Sequence, residues 1–202
     1  MHCPARIIVA RHAEAAYESE GTGTSGGSLT ARGREQAVGL GGRLASERVA
    51  AVMCSELSRA VQTAELAAGV LRLPVTVRGG LQEFDVGDER GRVYDAGVFD
   101  PVMAAWREGD LSAAVPGGES GRQTVDRVLG LLDSVADEFR GETVLAVSHG
   151  GVILSLLGCL RAPTPTDPAL LTDVPDASLY VFERDADGWR IGEPVSPAAR
   201  GG

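Results

Sequence analysis

Short apolar runs rich in β-branched residues alternate along this chain with longer stretches whose apolar positions recur every three or four residues. The first run, Ile7-Ile8-Val9-Ala10, stops abruptly at Arg11-His12 and reads as a buried strand delivering its last residues to a sheet edge. Thr30 can cap a helix whose Ala37, Leu40, Leu44 and Ala45 share a face. That helix is predicted to run to about Glu47, although Gly39, Gly41 and Gly42 weaken it. Ala50 to Cys54 is a second strand, and the polar cluster Ser55 to Arg59 after it opens a helix to about Leu71. Leu73 to Arg78 is a third, closed by Gly79-Gly80. Gly121 to Phe139 is the clearest amphipathic helix, with Val125, Val128, Leu129, Leu132 and Val135 on one face and Ser120 as its cap. Thr143 to Val147 ends, like the first strand, in a histidine, His149, and Gly150-Gly151 then opens a short apolar helix toward Leu157. Leu179 to Glu183 and Trp189 to Ile191, around Asp187-Gly188, form a hairpin. No repeat of fixed period is present. The alternation predicts an α/β three-layer sandwich, a mainly parallel sheet with helices on both faces and a C-terminal antiparallel hairpin or edge.

Two stretches depart from the alternation. Ser19 to Ser28 is so poor in apolar side chains that it cannot pack a core, and it is expected to be a mobile loop. Leu81 to Gly118 is expected to be irregular, with the part from about 84 to 118 a lid insertion; Tyr17, Phe84, Tyr94, Phe99 and Trp106 are candidate pocket walls or packing residues.

Length and composition narrow the picture. A chain of 202 residues, 44% of them apolar, supports one core and hence a single domain over 1–202. A formal charge of -9 argues against a nucleic-acid surface or an anionic membrane as partner. All 19 basic residues are arginine, which removes phosphate loops that depend on Gly-Lys and any Schiff-base chemistry. Cys3, Cys54 and Cys159 are odd in number and far apart, so they read as reduced, mostly buried thiols. With no signal peptide or membrane-length apolar run recognised, a cytoplasmic location is expected.

The strand ends and one loop together offer Arg11, His12, Arg59, His149 and Glu83, and the chain has only three histidines. In open parallel sheets ligands bind at the carboxyl ends of the strands. Phosphoryl transfer requires positive charge around the nonbridging oxygens and a nucleophile in line with the leaving group. Arginine forks suit phosphate oxygens, helix N-termini after Ser58 and His149 add backbone donors, and a neutral imidazole is a competent nucleophile. A carboxylic acid such as Glu83 can protonate the leaving oxygen and then take a proton from water. Arg11, Arg59 and His149 would supply the charge that a metal otherwise provides, so no metal is required. A rival reading makes Ser148, in Ala146-Val147-Ser148-His149-Gly150, an esterase nucleophile, but that triad needs a histidine later in the chain and none follows His149.

These residues resemble the histidine phosphatase superfamily, also described as phosphoglycerate mutase-like. Arg11-His12-Ala13-Glu14 is similar to its Arg-His motif, and Ser55, Leu57, Arg59, Ala60, Gln62, Thr63 and Ala64 reproduce its second motif. Glu83 followed by Gly87 and Gly91, then Pro116 to Ser120, Ser148 to Gly151 and Pro175 to Leu179, continue the resemblance in order. It implies a phosphatase hydrolysing a small phosphomonoester through phosphohistidine on His12, with Glu83, His149, Arg11 and Arg59 catalytic and Arg11, Arg59, His149 and Gly150 binding phosphate. No metal and no cofactor is implied; the partner is a small phosphorylated substrate, and a homodimer stays open. Phosphoglycerate mutase-type transfer and non-catalytic binding of a phospho-ligand are the alternatives. Glu18 stands where many relatives carry an asparagine, Thr22-Gly23 replaces Gln-Gly, and Arg90 replaces an acid, all of which weaken the mutase reading. The role of Glu119 stays undecided.

Overall fold

Strand β1 (Ala5–Arg11) carries the four wholly buried residues Ile7, Ile8, Val9 and Ala10, and the whole architecture follows from burying both of its faces. The computed structural model describes residues 5–16, 21–23, 27–160 and 174–195. Its main sheet contains β1, β4 (Val49–Cys54), β5 (Val75–Val77), β6 (Thr143–Ser148), β7 (Leu179–Asp185) and β8 (Gly188–Ile191), in the order β5-β4-β6-β1-β7-β8. The strands from β5 to β1 are parallel, whereas β7 runs antiparallel to β1 and β8 antiparallel to β7. A small second pair joins β2 (Ala15–Ala16) to β3 (Ser28–Leu29).

Alternation along β1 sorts the helices into two layers, because successive side chains of a strand point to opposite faces. Ile8 and Ala10 join Val52 and Cys54 against α1 (Ala31–Arg43) and α2 (Ser58–Leu71), the latter presenting Ala60, Ala64, Ala67 and Ala68. Ile7 and Val9 join Met53 and Phe182 against α3 (Ala96–Glu108), α4 (Gly121–Glu138) and α5 (Gly150–Cys159). The result is the three-layer α/β sandwich with an antiparallel C-terminal edge.

Local signals explain the element boundaries. Thr30 accepts from Gly33 N–H at the start of α1, and Ser120 and Gln123 form a capping box at the start of α4, a device worth about 1 kcal/mol. α1 ends at Arg43 rather than near Glu47, since Leu44 is already its cap. The larger departure is α3, which occupies the middle of the segment expected to be irregular. Asp95 caps it, and Phe99, Val102 and Trp106 are buried in the core. Gly97 and Pro101 disguise the helix in the sequence, yet 99, 102 and 106 fall on one helical face. Tyr17, Glu18, Cys3 and, within Ser19 to Ser28, residues 19, 20 and 24–26 lie outside the described residues. No helix among the described residues is long and apolar enough to cross a membrane.

Candidate active site

β1 and β6 run side by side with Arg11 level with Ser148, so the residues that follow, His12 and His149, leave the sheet together at its carboxyl edge. Their ring centroids are 5.2 Å apart. His12 N–H donates to Ser148 O, and Ala13 N–H donates to Thr63 Oγ1 at 3.0 Å, which fixes the backbone on both sides of the imidazole bond to the chain. Nδ1 of His12 donates to Ala13 O at 2.9 Å, while Nε2 accepts from Arg59 Nε at 3.2 Å. These two bonds assign the tautomer: the proton is on Nδ1, and the Nε2 lone pair faces Arg59. Burial, helped by the charges of Arg59 and Arg11 and opposed by the Ala13 carbonyl, lowers the His12 pKa to about 3. The imidazole is therefore neutral and nucleophilic at neutral pH.

His149 is wholly buried. Its Nε2 lies 2.7 Å from Ser55 Oγ, which also accepts from Leu57 N–H at 3.4 Å. Its Nδ1 is buried with no hydrogen-bond partner among the described residues. Burial, then His12 and the arginines, push the His149 pKa well below its ordinary value. His149 is thus uncharged at neutral pH in this site, and the formal charge comes from arginine.

Arg11 is anchored by Val174 O and by Asp176, whose Oδ1 lies 3.1 Å from Nη2. Arg59, in the first turn of α2, is 7% exposed, and its carbonyl accepts from the same Thr63 hydroxyl that holds Ala13. Gly150 begins α5 beside Arg11; a methyl there would meet Arg11 Nε at an ordinary 3.6 Å. The N-terminus of α5, expected to donate to phosphate, engages Glu83: Gly151 N–H reaches Oε2 and Val152 N–H reaches Oε1, each at 3.1 Å, and Phe84 N–H adds a third bond at 3.1 Å. Burial nevertheless raises the Glu83 pKa, outweighing those bonds and the charge of Arg59. A carboxyl with a raised pKa is suited to donating a proton.

All of the predicted site residues, Arg11, His12, Arg59, Glu83 and Gly150, line one cavity of about 910 Å³, except His149, which lies beneath it against His12. Phe84, Tyr94 and Phe99 also line the cavity, with Tyr94 stacked on Phe99 at 5.0 Å. Trp106 does not; it is core, its Nε1 donating to Ala113 O at 2.9 Å. Ser148 is no nucleophile in waiting, since its buried hydroxyl donates to Leu81 O at 2.7 Å. Sequence reasoning missed Arg127 and left Glu119 open. The two form a bidentate pair on the cavity wall, Nε to Oε1 at 2.9 Å and Nη2 to Oε2 at 2.7 Å. Burial alone would raise the Glu119 pKa, but the bonds from Arg127 and from Asp85 N–H prevail and lower it. No group of three or more metal-ligating side chains occurs among the described residues.

A family model described as the histidine phosphatase superfamily (branch 1) matches residues 7–195. The chain is 33% identical over 195 residues to phosphoglycerate mutase-like protein 4 of Arabidopsis thaliana, spanning 93% of this chain and 83% of that protein. It is 32% identical over 161 residues to the probable phosphoglycerate mutase GpmB of Salmonella choleraesuis, spanning 77% and 72%. The structure of a mycobacterial glucosyl-3-phosphoglycerate phosphatase superposes with a TM-score of 0.75 at 26% identity, covering 96% of this chain and 99% of that one.

Proposed function

The chain belongs to the histidine phosphatase superfamily (branch 1), and from that premise we propose that it hydrolyses a small phosphomonoester through a covalent intermediate on His12, without a metal or cofactor. The observation that carries this reading is the His12 tautomer, a neutral imidazole whose Nε2 lone pair faces Arg59 in the cavity that Glu83 also lines. In the first step Nε2 attacks phosphorus, the P–O bond to the alcohol breaks, and Glu83 gives its proton to the leaving oxygen. Arg11, Arg59 and His149 hold the nonbridging oxygens as charge develops. In the second step water attacks the phosphohistidine, its proton passes to the Glu83 carboxylate, and orthophosphate leaves with His12 restored.

Domain and location enter the proposal too: a single domain over 1–202, segment 84–118 as the lid that selects substrate, and a cytoplasmic setting. The mutase alternative keeps support from the names of the sequence relatives, which are mutases or mutase-like. The two separate in one assay in excess chelator. Hydrolysis releases phosphate at the rate of substrate loss for a panel of phosphomonoesters. Interconversion of phosphoglycerate isomers with little phosphate release would establish the mutase, and activity restored only by added divalent ion would overturn the metal-free mechanism.

A further inference from the structure

Glu83 sits on a segment whose backbone is held from one side by a single ion pair. Nη1 of Arg127, on α4, donates to Gly80 O at 2.8 Å and to Gln82 O at 3.1 Å. Beyond Glu83, Asp85 N–H donates to Glu119 Oε2 at 3.0 Å, and Asp85 O accepts from Glu119 N–H at 2.8 Å. Arg127 and Glu119 are joined to each other by the two bonds given above, so the peptide before Glu83 and the Phe84–Asp85 peptide beyond it are tied to one rigid fork. Glu119 is itself fixed, because the next residue, Ser120, is the cap of α4. Four of the five N–H donors of Arg127 are committed to this arrangement, to four acceptor oxygens that a lysine's ammonium could not match in plane. Both side chains are largely shielded, at 20% and 23% exposure, which keeps the pair from being screened as a surface pair would be.

We propose that the Arg127–Glu119 pair is a positioning device for the proton donor of the reaction. It rests on the reading of Glu83 as the acid. The carboxyl of Glu83 is located from its side-chain end by the N–H groups of α5 and from its backbone end by this clamp. Proton transfer demands hydrogen-bond reach to the leaving oxygen, and a misplacement of about 1 Å is enough to cost about a hundredfold. Arg127 acts through Glu83 and does not touch the phosphoryl group.

The test compares Arg127→Met, Arg127→Lys and Glu119→Gln with Glu83→Gln, using a series of phosphomonoesters from activated aryl to alkyl. Arg127→Met is expected to lose about tenfold or more on alkyl phosphates and to stay within about twofold on the most activated aryl phosphate. Arg127→Lys should recover part of the loss, and in the Glu83→Gln background the Met change should cost nothing further. Equal loss across the series would overturn the proposal in favour of a merely structural pair. A raised KM with an unchanged leaving-group dependence would overturn it in favour of direct substrate binding. If Arg127→Met does not fold, the near-isosteric Glu119→Gln makes the same comparison. Should Glu83→Gln itself show no leaving-group dependence, the assignment of the acid fails, an outcome distinct from failure of the clamp alone.

Discussion

The Nε–H of Arg59 points at the very lone pair of His12, 3.2 Å away, that must attack phosphorus on the proposed mechanism. Attack therefore requires this N–H to turn to a phosphoryl oxygen, so the group that guards the nucleophile is also the one that receives the substrate. The same guanidinium charge opposes protonation of the imidazole, second to burial among the influences that lower its pKa.

Replacing Arg59 by Met should accordingly have two effects. Phosphatase activity should fall by about a hundredfold or more, the usual cost of losing a donor to developing charge. The His12 pKa should rise from about 3 while staying below 6.5, because burial remains. NMR titration of the ring carbons reads the shift, and an unmoved His12 would show that Arg59 does not tune it.

The covalent step makes a second prediction. Rapid quench during turnover should trap one acid-labile, base-stable phosphoryl group per active chain, as a phosphoramidate requires. His12→Ala should abolish it. Ser148→Ala should retain it, with lower stability, because the lost hydroxyl leaves Leu81 O without that donor. An adduct that survived His12→Ala would place the nucleophile elsewhere.

What could be read from the sequence follows from how local each signal is. Strands ending in Arg11-His12 and in Ser148-His149 are local patterns, and the parallel pairing of β1 with β6 brings both ends together without further information. Arg127 was invisible because its acceptors, Gly80 O and Gln82 O, lie 47 and 45 residues away and are backbone groups that carry no side-chain signature. The neutrality of His149 was likewise hidden, since the burial that enforces it comes from tertiary packing. Helix α3 was obscured by Gly97 and Pro101, two residues of low helix propensity that packing of Phe99 and Trp106 overrides.

Two buried neutral histidines make stability depend on pH in a definite direction. Their folded pKa values lie below the unfolded value of 6.5, His12 at about 3 and His149 well below 6.5, so between these limits the unfolded chain binds more protons. Stability is then lost as pH falls below 6.5, with a slope of about 1.4 kcal/mol per pH unit for each histidine. Glu83 acts oppositely: its folded pKa is raised above 4.5, so its contribution falls as pH rises from 4.5 through the folded value. Urea midpoints at stepped pH values should drop on acidification, and the drop should be shallower in His149→Gln. Parallel curves for the two proteins would contradict a buried neutral His149.

A methyl group at position 151 tests whether the placement of Glu83 limits proton donation. A Cβ there would sit 2.5 Å from the Phe84 ring and 2.7 Å from Glu83 Oε1. The ring has little room to withdraw, because Trp106 meets it edge-on at 5.0 Å and Phe99 stands at 6.4 Å. The carboxyl must give way instead, and with it the bonds from Gly151 and Val152 N–H. Gly151→Ala should therefore lose about ten- to a hundredfold on alkyl phosphates and much less on activated aryl phosphates, whose leaving groups need no proton. Gly130→Ala is the control, on an exposed turn of α4 where a methyl meets nothing within 4 Å; it should keep full activity and gain about 0.5–1 kcal/mol of helix stability. Uniform loss across the leaving-group series in Gly151→Ala, with its melting temperature unchanged, would mean that the methyl disturbs phosphate binding, and that the contact of Gly151 with Glu83 does not set the position of the acid.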